Sequence, residues 1–199
     1  MFKSISNRTW LLTISASFSV ILYACGQGKS SQPAPDVEFV PITAYIREEL
    51  KSIDSLKLPT TLYYQDKDRK DTSAIPFATC DSLARAGFLA EDITREPLKS
   101  SYKESSFADQ SIPNVTFTYL TSDSTLPLKR ADVILKPDPA GLDKVNTIYL
   151  EKLYQSGDTL IQDKLFWKAN HYYQILRSRQ IGQGEATVTQ WKVVWDPVE

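Results

Sequence analysis

Residues 148–195 read IYLEKLYQSGDTLIQDKLFWKANHYYQILRSRQIGQGEATVTQWKVVW. Apolar and polar residues alternate here in short runs, and turn-forming residues separate the runs. Gly157-Asp158 follows the first run, Ala169-Asn170 divides Ile161–Lys168 from Tyr172–Ile181, and Gly182–Glu185 precedes Thr187–Trp195. A period of two with tight connections predicts antiparallel strands in sequence order. Alternation also predicts one packed face and one partly wet face.

The same pattern extends toward the N-terminus. Val115, Phe117 and Tyr119 alternate with Thr116, Thr118 and Leu120, and Val133 and Leu135 follow between Pro127 and Pro137. Before residue 99 the period is closer to 3.6. Ile42, Tyr45, Ile46, Leu50, Ile53 and Leu56 form one stripe of a helix, opposite Arg47, Glu48, Lys51 and Asp54. Leu58-Pro59 suits the helix end, because the residue before proline is pushed out of helical geometry.

Thr60–Gln65 reads as a strand, Asp66–Asp71 as an exposed turn, and Thr72–Phe77 as the return. A second helix is predicted over Cys80–Ile93, with Leu83, Ala86, Ala90 and Ile93 on one side. The expected class is α+β: two N-terminal helices packed on a long antiparallel meander, with a curved sheet or half-barrel as one form of it.

The first 24 residues differ from the rest. Lys3 and Arg8 are their only charges, and Trp10–Ala24 is an uncharged, largely apolar run. A short basic lead before such a run has the layout of an export signal. Four hydroxyl residues interrupt it, and it is shorter than the roughly 17–25 residues of a bilayer span. It ends in Leu22-Tyr23-Ala24-Cys25-Gly26. This resembles a lipobox, where bacterial lipoprotein signals are cut before a cysteine that then carries acyl chains. Tyr23 is bulkier than the residues usual at its position.

The expected organisation is a signal over 1–24, a lipidated Cys25 with a flexible tether over 25–36, and one domain over 37–199. The tether sequence, GQGKSSQPAPD over 26–36, is rich in Gly, Ser, Gln and Pro. With Cys25 lipidated, Cys80 has no partner for a disulfide within the chain.

The whole chain has 23 Lys+Arg against 24 Asp+Glu. Removing Lys3 and Arg8 leaves 21 against 24, a net of about −3. That balance gives no footprint for nucleic acid. It also predicts no broad basic face for anionic lipid, so the acyl chains are expected to hold the membrane alone. The envelope is the expected location, at the inner or outer membrane, with the domain facing the periplasm.

The segments Leu128–Val133, Ile148–Lys152, Leu165–Ala169 and Lys192–Trp195 resemble stretches of a group of uncharacterised Bacteroidetes lipoproteins. The resemblance spans roughly residues 40–196. It implies an envelope location and this strand order, and implies no activity and no site residues.

Chemistry-bearing motifs are sparse. Gly28-Lys29-Ser30 lacks the upstream glycine, strand and helix of a phosphate-binding loop. The single histidine, His171, sits beside Asn170 in an expected turn, without metal partners at a recognisable spacing. Asp66, Asp68 and Asp71 are interleaved with Lys67, Arg69 and Lys70, which would repel a calcium ion. Cys80 is expected on the core face of the second helix. No metal and no cofactor is predicted.

The aromatic residues are the most suggestive feature. Trp167, Tyr173, Trp191 and Trp195 could line a groove for an apolar ligand or fill the sheet–helix core. Two function classes stay open. One is a non-catalytic envelope lipoprotein that binds a partner or supports an envelope assembly. The other is a module that binds a lipid or other apolar ligand. An enzyme has the least support, since no nucleophile–base or metal constellation is visible.

Overall fold

A computed structural model describes residues 38–109, 111, 113–138 and 143–196. Cys25, the expected signal and tether, and Gly28-Lys29-Ser30 lie outside the described residues.

The first helix, α1, is Ile42–Ser55. Its buried positions include Ile42, Ile46, Leu50 and Ile53, the stripe expected from the period. Leu56, expected on that stripe, is instead 65% exposed, because the helix has already ended. The stop is a Schellman arrangement. Lys57 adopts φ 52°, its N–H bonds the Asp54 carbonyl, and the Leu58 N–H bonds the Ile53 carbonyl.

Strands β1 (Thr60–Gln65) and β2 (Lys70–Ile75) form a hairpin, and α2 (Phe77–Phe88) follows. Here the sequence reading is corrected. The helix starts three residues before Cys80 and ends five before Ile93. Its buried side is Cys80, Ala84, Gly87 and Phe88, while Ala86 and Ala90 are exposed. Pro76 precedes the first turn, where a missing N–H costs no helical hydrogen bond.

The rest is sheet: β3 (Lys103–Asp109), β4 (Asn114–Leu120), β5 (Leu128–Lys136), β6 (Lys144–Ser156), β7 (Thr159–Lys168), β8 (Tyr172–Ile181) and β9 (Thr187–Val194). The order is β2-β1-β9-β8-β7-β6-β5-β4-β3, with every neighbouring pair antiparallel. The sheet is open, with β2 and β3 at its edges. The β1–β2 hairpin thus extends the meander beyond β9, a pairing that local periodicity does not reveal. Gly157 (φ 63°) and Asn170 (φ 65°) supply the left-handed residues of the β6–β7 and β7–β8 turns.

Both helices pack on one face of the sheet, hereafter the inner face. Tyr119, Val133, Ile148, Leu150, Leu165, Trp167, Tyr173, Ile175 and Val193 form one core with Ile46, Leu50, Ile53, Ala84 and Phe88. Gly87 lets α2 approach closely. A Cβ built there would lie 3.2 Å from Ile175 Cδ1 and 3.4 Å from Leu165 Cδ2. Each large apolar side chain buried in this way contributes roughly 1.5–3 kcal/mol.

Candidate functional site

Of the four aromatic residues singled out for a groove, three lie in the interior. Trp167 and Tyr173 are completely buried and Trp195 is 4% exposed. Trp167 stacks on Tyr173 at 5.3 Å, and Phe88 meets both rings edge-on at 5.3 and 5.7 Å. Trp195 lies 5.4 Å from Trp167. The space between helices and sheet is therefore occupied by side chains at this point. Trp191 is half-buried and packs against the margin of this core, with Tyr64 of β1 edge-on at 5.9 Å.

Several polar groups within this core are paired. Trp167 Nε1 donates to Glu49 Oε2 over 2.8 Å, and the Asn170 backbone N–H donates to Glu49 Oε1. Tyr45 also bonds the carboxylate. Burial still raises the Glu49 pKa above its usual value, against the opposing effect of these donors. The Tyr173 hydroxyl donates to the Cys80 carbonyl over 2.8 Å. Cys80 itself is buried, and desolvation pushes its thiol up to about 11, far from the acidified range of reactive cysteines.

Where α2 ends, the inner face turns polar. Lys152, Asp163 and Arg177 follow one another across β6, β7 and β8. Asp163 accepts two bonds from Arg177, each 2.7 Å, and a longer one from Tyr154 at 3.3 Å. Lys152 pairs with Glu91 at 2.5 Å. This row has matched charges and satisfied geometry, which suits a structural role better than a catalytic one.

Other sequence candidates are placed as follows. His171 is in the β7–β8 turn, its Nδ1 3.7 Å from Asp196 Oδ2. Asp66 organises the β1–β2 turn by accepting from the Asp68 and Arg69 N–H groups and from the Tyr64 hydroxyl. The Tyr64 hydrogen bond leads the causes that hold its carboxyl below the usual value. Among the described residues, no three His, Cys, Asp or Glu side chains come together as a metal site, and no helix is long and apolar enough to cross a membrane.

The outer face of the sheet has a different character. Register with the core residues places Tyr63, Phe107, Leu120, Leu153, Leu160 and Val188 there, and these are 38–66% exposed. Phe166 and Tyr172 stack at 5.9 Å on the same face. Lys192 Nζ lies 3.9 Å from the Tyr172 ring centroid. Six of the large exposed apolar residues thus share one face of the sheet, on six different strands.

That face also carries basic residues, which corrects the expectation from net charge. Lys70, Lys103, Lys136, Lys164, Lys168 and Lys192 all project outward by register. Arg130 pairs with Asp132 and Lys144 with Asp138, and Glu151 accepts from Gln162. Summing the charge of a chain discards this sidedness.

No family model, no curated protein and no solved structure matches this chain.

Proposed function

We propose that this chain is an envelope lipoprotein, anchored by acyl chains on Cys25, whose domain works by surface contact through the outer face of its sheet. The observation that carries the reading is the exposed apolar and aromatic set on that face, Tyr63, Phe107, Leu120, Leu153, Leu160 and Val188. The reading is non-catalytic. Among the described residues, the buried charged side chains Glu49, Asp163 and Lys152 are engaged by Trp167, Arg177 and Glu91. A ligand module would need an aromatic groove open to solvent, and the packing of Trp167, Tyr173 and Trp195 favours surface contact instead.

Two experiments test it. Cys25→Ser should abolish salt-resistant membrane fractionation once the signal is removed; a processed variant that stays with membranes after a high-salt wash, which releases electrostatic contacts, would sink the anchor. Photo-crosslinking residues at Phe107 and Leu153 should give adducts in intact cells that the same group at Lys51, on the exposed side of α1, does not. Equal adducts from both sides would argue against the outer face.

A further inference from the structure

We infer that the occupant of the outer face is an anionic lipid surface, against which the sheet lies flat. This deepens the surface-contact reading and relies on it for the membrane setting. Three observations support it. The first is charge. The whole chain is net −1, yet Lys70, Lys103, Lys136, Lys164, Lys168 and Lys192 share one face, where Arg130 and Lys144 are paired with Asp132 and Asp138 and Glu151 stands opposite Lys164, so that cations still outnumber these acids. The second is residue type. Lysines with apolar stems interleaved with Tyr63, Phe107, Tyr149, Phe166 and Tyr172 suit a headgroup boundary, where amphipathic side chains keep an apolar body and a polar tip.

The third observation is reach. Twelve residues separate Cys25 from Glu38, a span of at most about 47 Å when fully extended. An acylated Cys25 therefore confines the domain near the bilayer, where even weak attraction per lysine acts at high effective concentration. A basic face across a broad sheet fits an extended anionic plane better than a single acidic peptide, which would engage one edge or groove.

The test uses the processed chain, residues 25–199 carrying Cys25→Ser and so without the basic, apolar lead of 1–24, mixed with phosphatidylcholine vesicles with and without phosphatidylglycerol. Binding should favour the anionic vesicles. Lys103→Glu, Lys164→Glu and Lys192→Glu together should lower that binding at least about tenfold. Arg47→Glu, Lys51→Glu and Lys57→Glu, an equal charge change on and beside α1, should change it less than about twofold. Equal losses from the two triple variants, or no preference for anionic vesicles, overturns the proposal; the latter outcome would point to an acidic protein instead.

A second measurement needs no charge change. A polarity-sensitive dye on Ser105→Cys, exposed on the outer face of β3, should report an apolar environment on anionic vesicles. The same dye on Ser52→Cys of α1 should remain aqueous, and the reverse pattern overturns the proposal. Retention of acylated wild-type chain on phosphatidylcholine alone reports the anchor, so anchor and face can fail separately.

Discussion

Trp167 of β7 donates its indole N–H to the carboxylate of Glu49 in α1 over 2.8 Å, joining residues 118 positions apart. The bond ties α1 to the centre of the sheet. It also explains a carboxylate that is only 9% exposed within an otherwise apolar interface. The turn residue Asn170, with φ 65°, aims its backbone N–H at the same carboxylate. The first helix, the central hairpin and its turn are thus held at one point.

Removing that acceptor should be costly. Glu49→Ala leaves the Trp167 indole and the Asn170 amide without a partner, and should destabilise the domain by about 2–4 kcal/mol. Glu49→Gln keeps one carbonyl acceptor and should cost less. Urea denaturation measures both. Equal stability of Glu49→Ala and wild type would show that the bond contributes nothing.

Glu49 also predicts a pH dependence. Burial raises its folded pKa above the unfolded value. Its favourable contribution is therefore present below the unfolded pKa and is lost as pH rises through the folded one. Relative to Glu49→Gln, wild type should lose stability between acid and neutral pH. Parallel stability curves for the two proteins would refute this.

The Asp163–Arg177 pair should behave as a unit. Asp163 is 3% exposed at its side chain and Arg177 26%. Asp163→Asn strands a partly buried guanidinium and should cost roughly 2–4 kcal/mol, somewhat below a fully buried pair. Combining Asp163→Leu with Arg177→Met should recover most of that loss. A double-mutant cycle with no coupling would exclude the pair as a stabilising contact.

At Gly87 two effects oppose each other. Alanine favours a helix by about 0.5–1 kcal/mol, but its Cβ would press on the Ile175 methyl at 3.2 Å. Gly87→Ala should therefore fall within about 1 kcal/mol of wild type. Gly87→Leu cannot fit between α2 and β7–β8 and should lose more than about 2 kcal/mol. Thermal denaturation that leaves Gly87→Leu unchanged would contradict this packing.

Cys80 should be silent until the domain opens. With its thiol buried and pushed up to about 11, labelling at neutral pH should follow unfolding. Rapid labelling of the native Cys25→Ser chain would place Cys80 at the surface.

Local pattern carried much of this architecture. The stripe from Ile42 to Ile53 specified α1, and alternation specified the strands containing Phe117, Val133, Ile148, Leu165, Tyr173 and Val193. Strand β3 was harder to see, because KESSFAD over 103–109 has little apolar alternation. The second helix was misplaced by its own small residues, since Ala84, Ala86 and Ala90 give several equivalent stripes and only docking on Leu165 and Ile175 selects one.

By itself, the sequence determined the two periodicities and the order of the strands in the meander, because both follow from side chains a few residues apart. The lipobox-like ending at Cys25 is just as local and remains the basis for proposing an anchor. Tertiary structure alone decided that β1 pairs with β9, that Glu49 rather than Glu48 is buried beneath Trp167, and that six of the lysines share the outer face. Each depends on which face the helices cover. That choice sums contacts over more than a hundred residues, and neither a local period nor a net charge retains it.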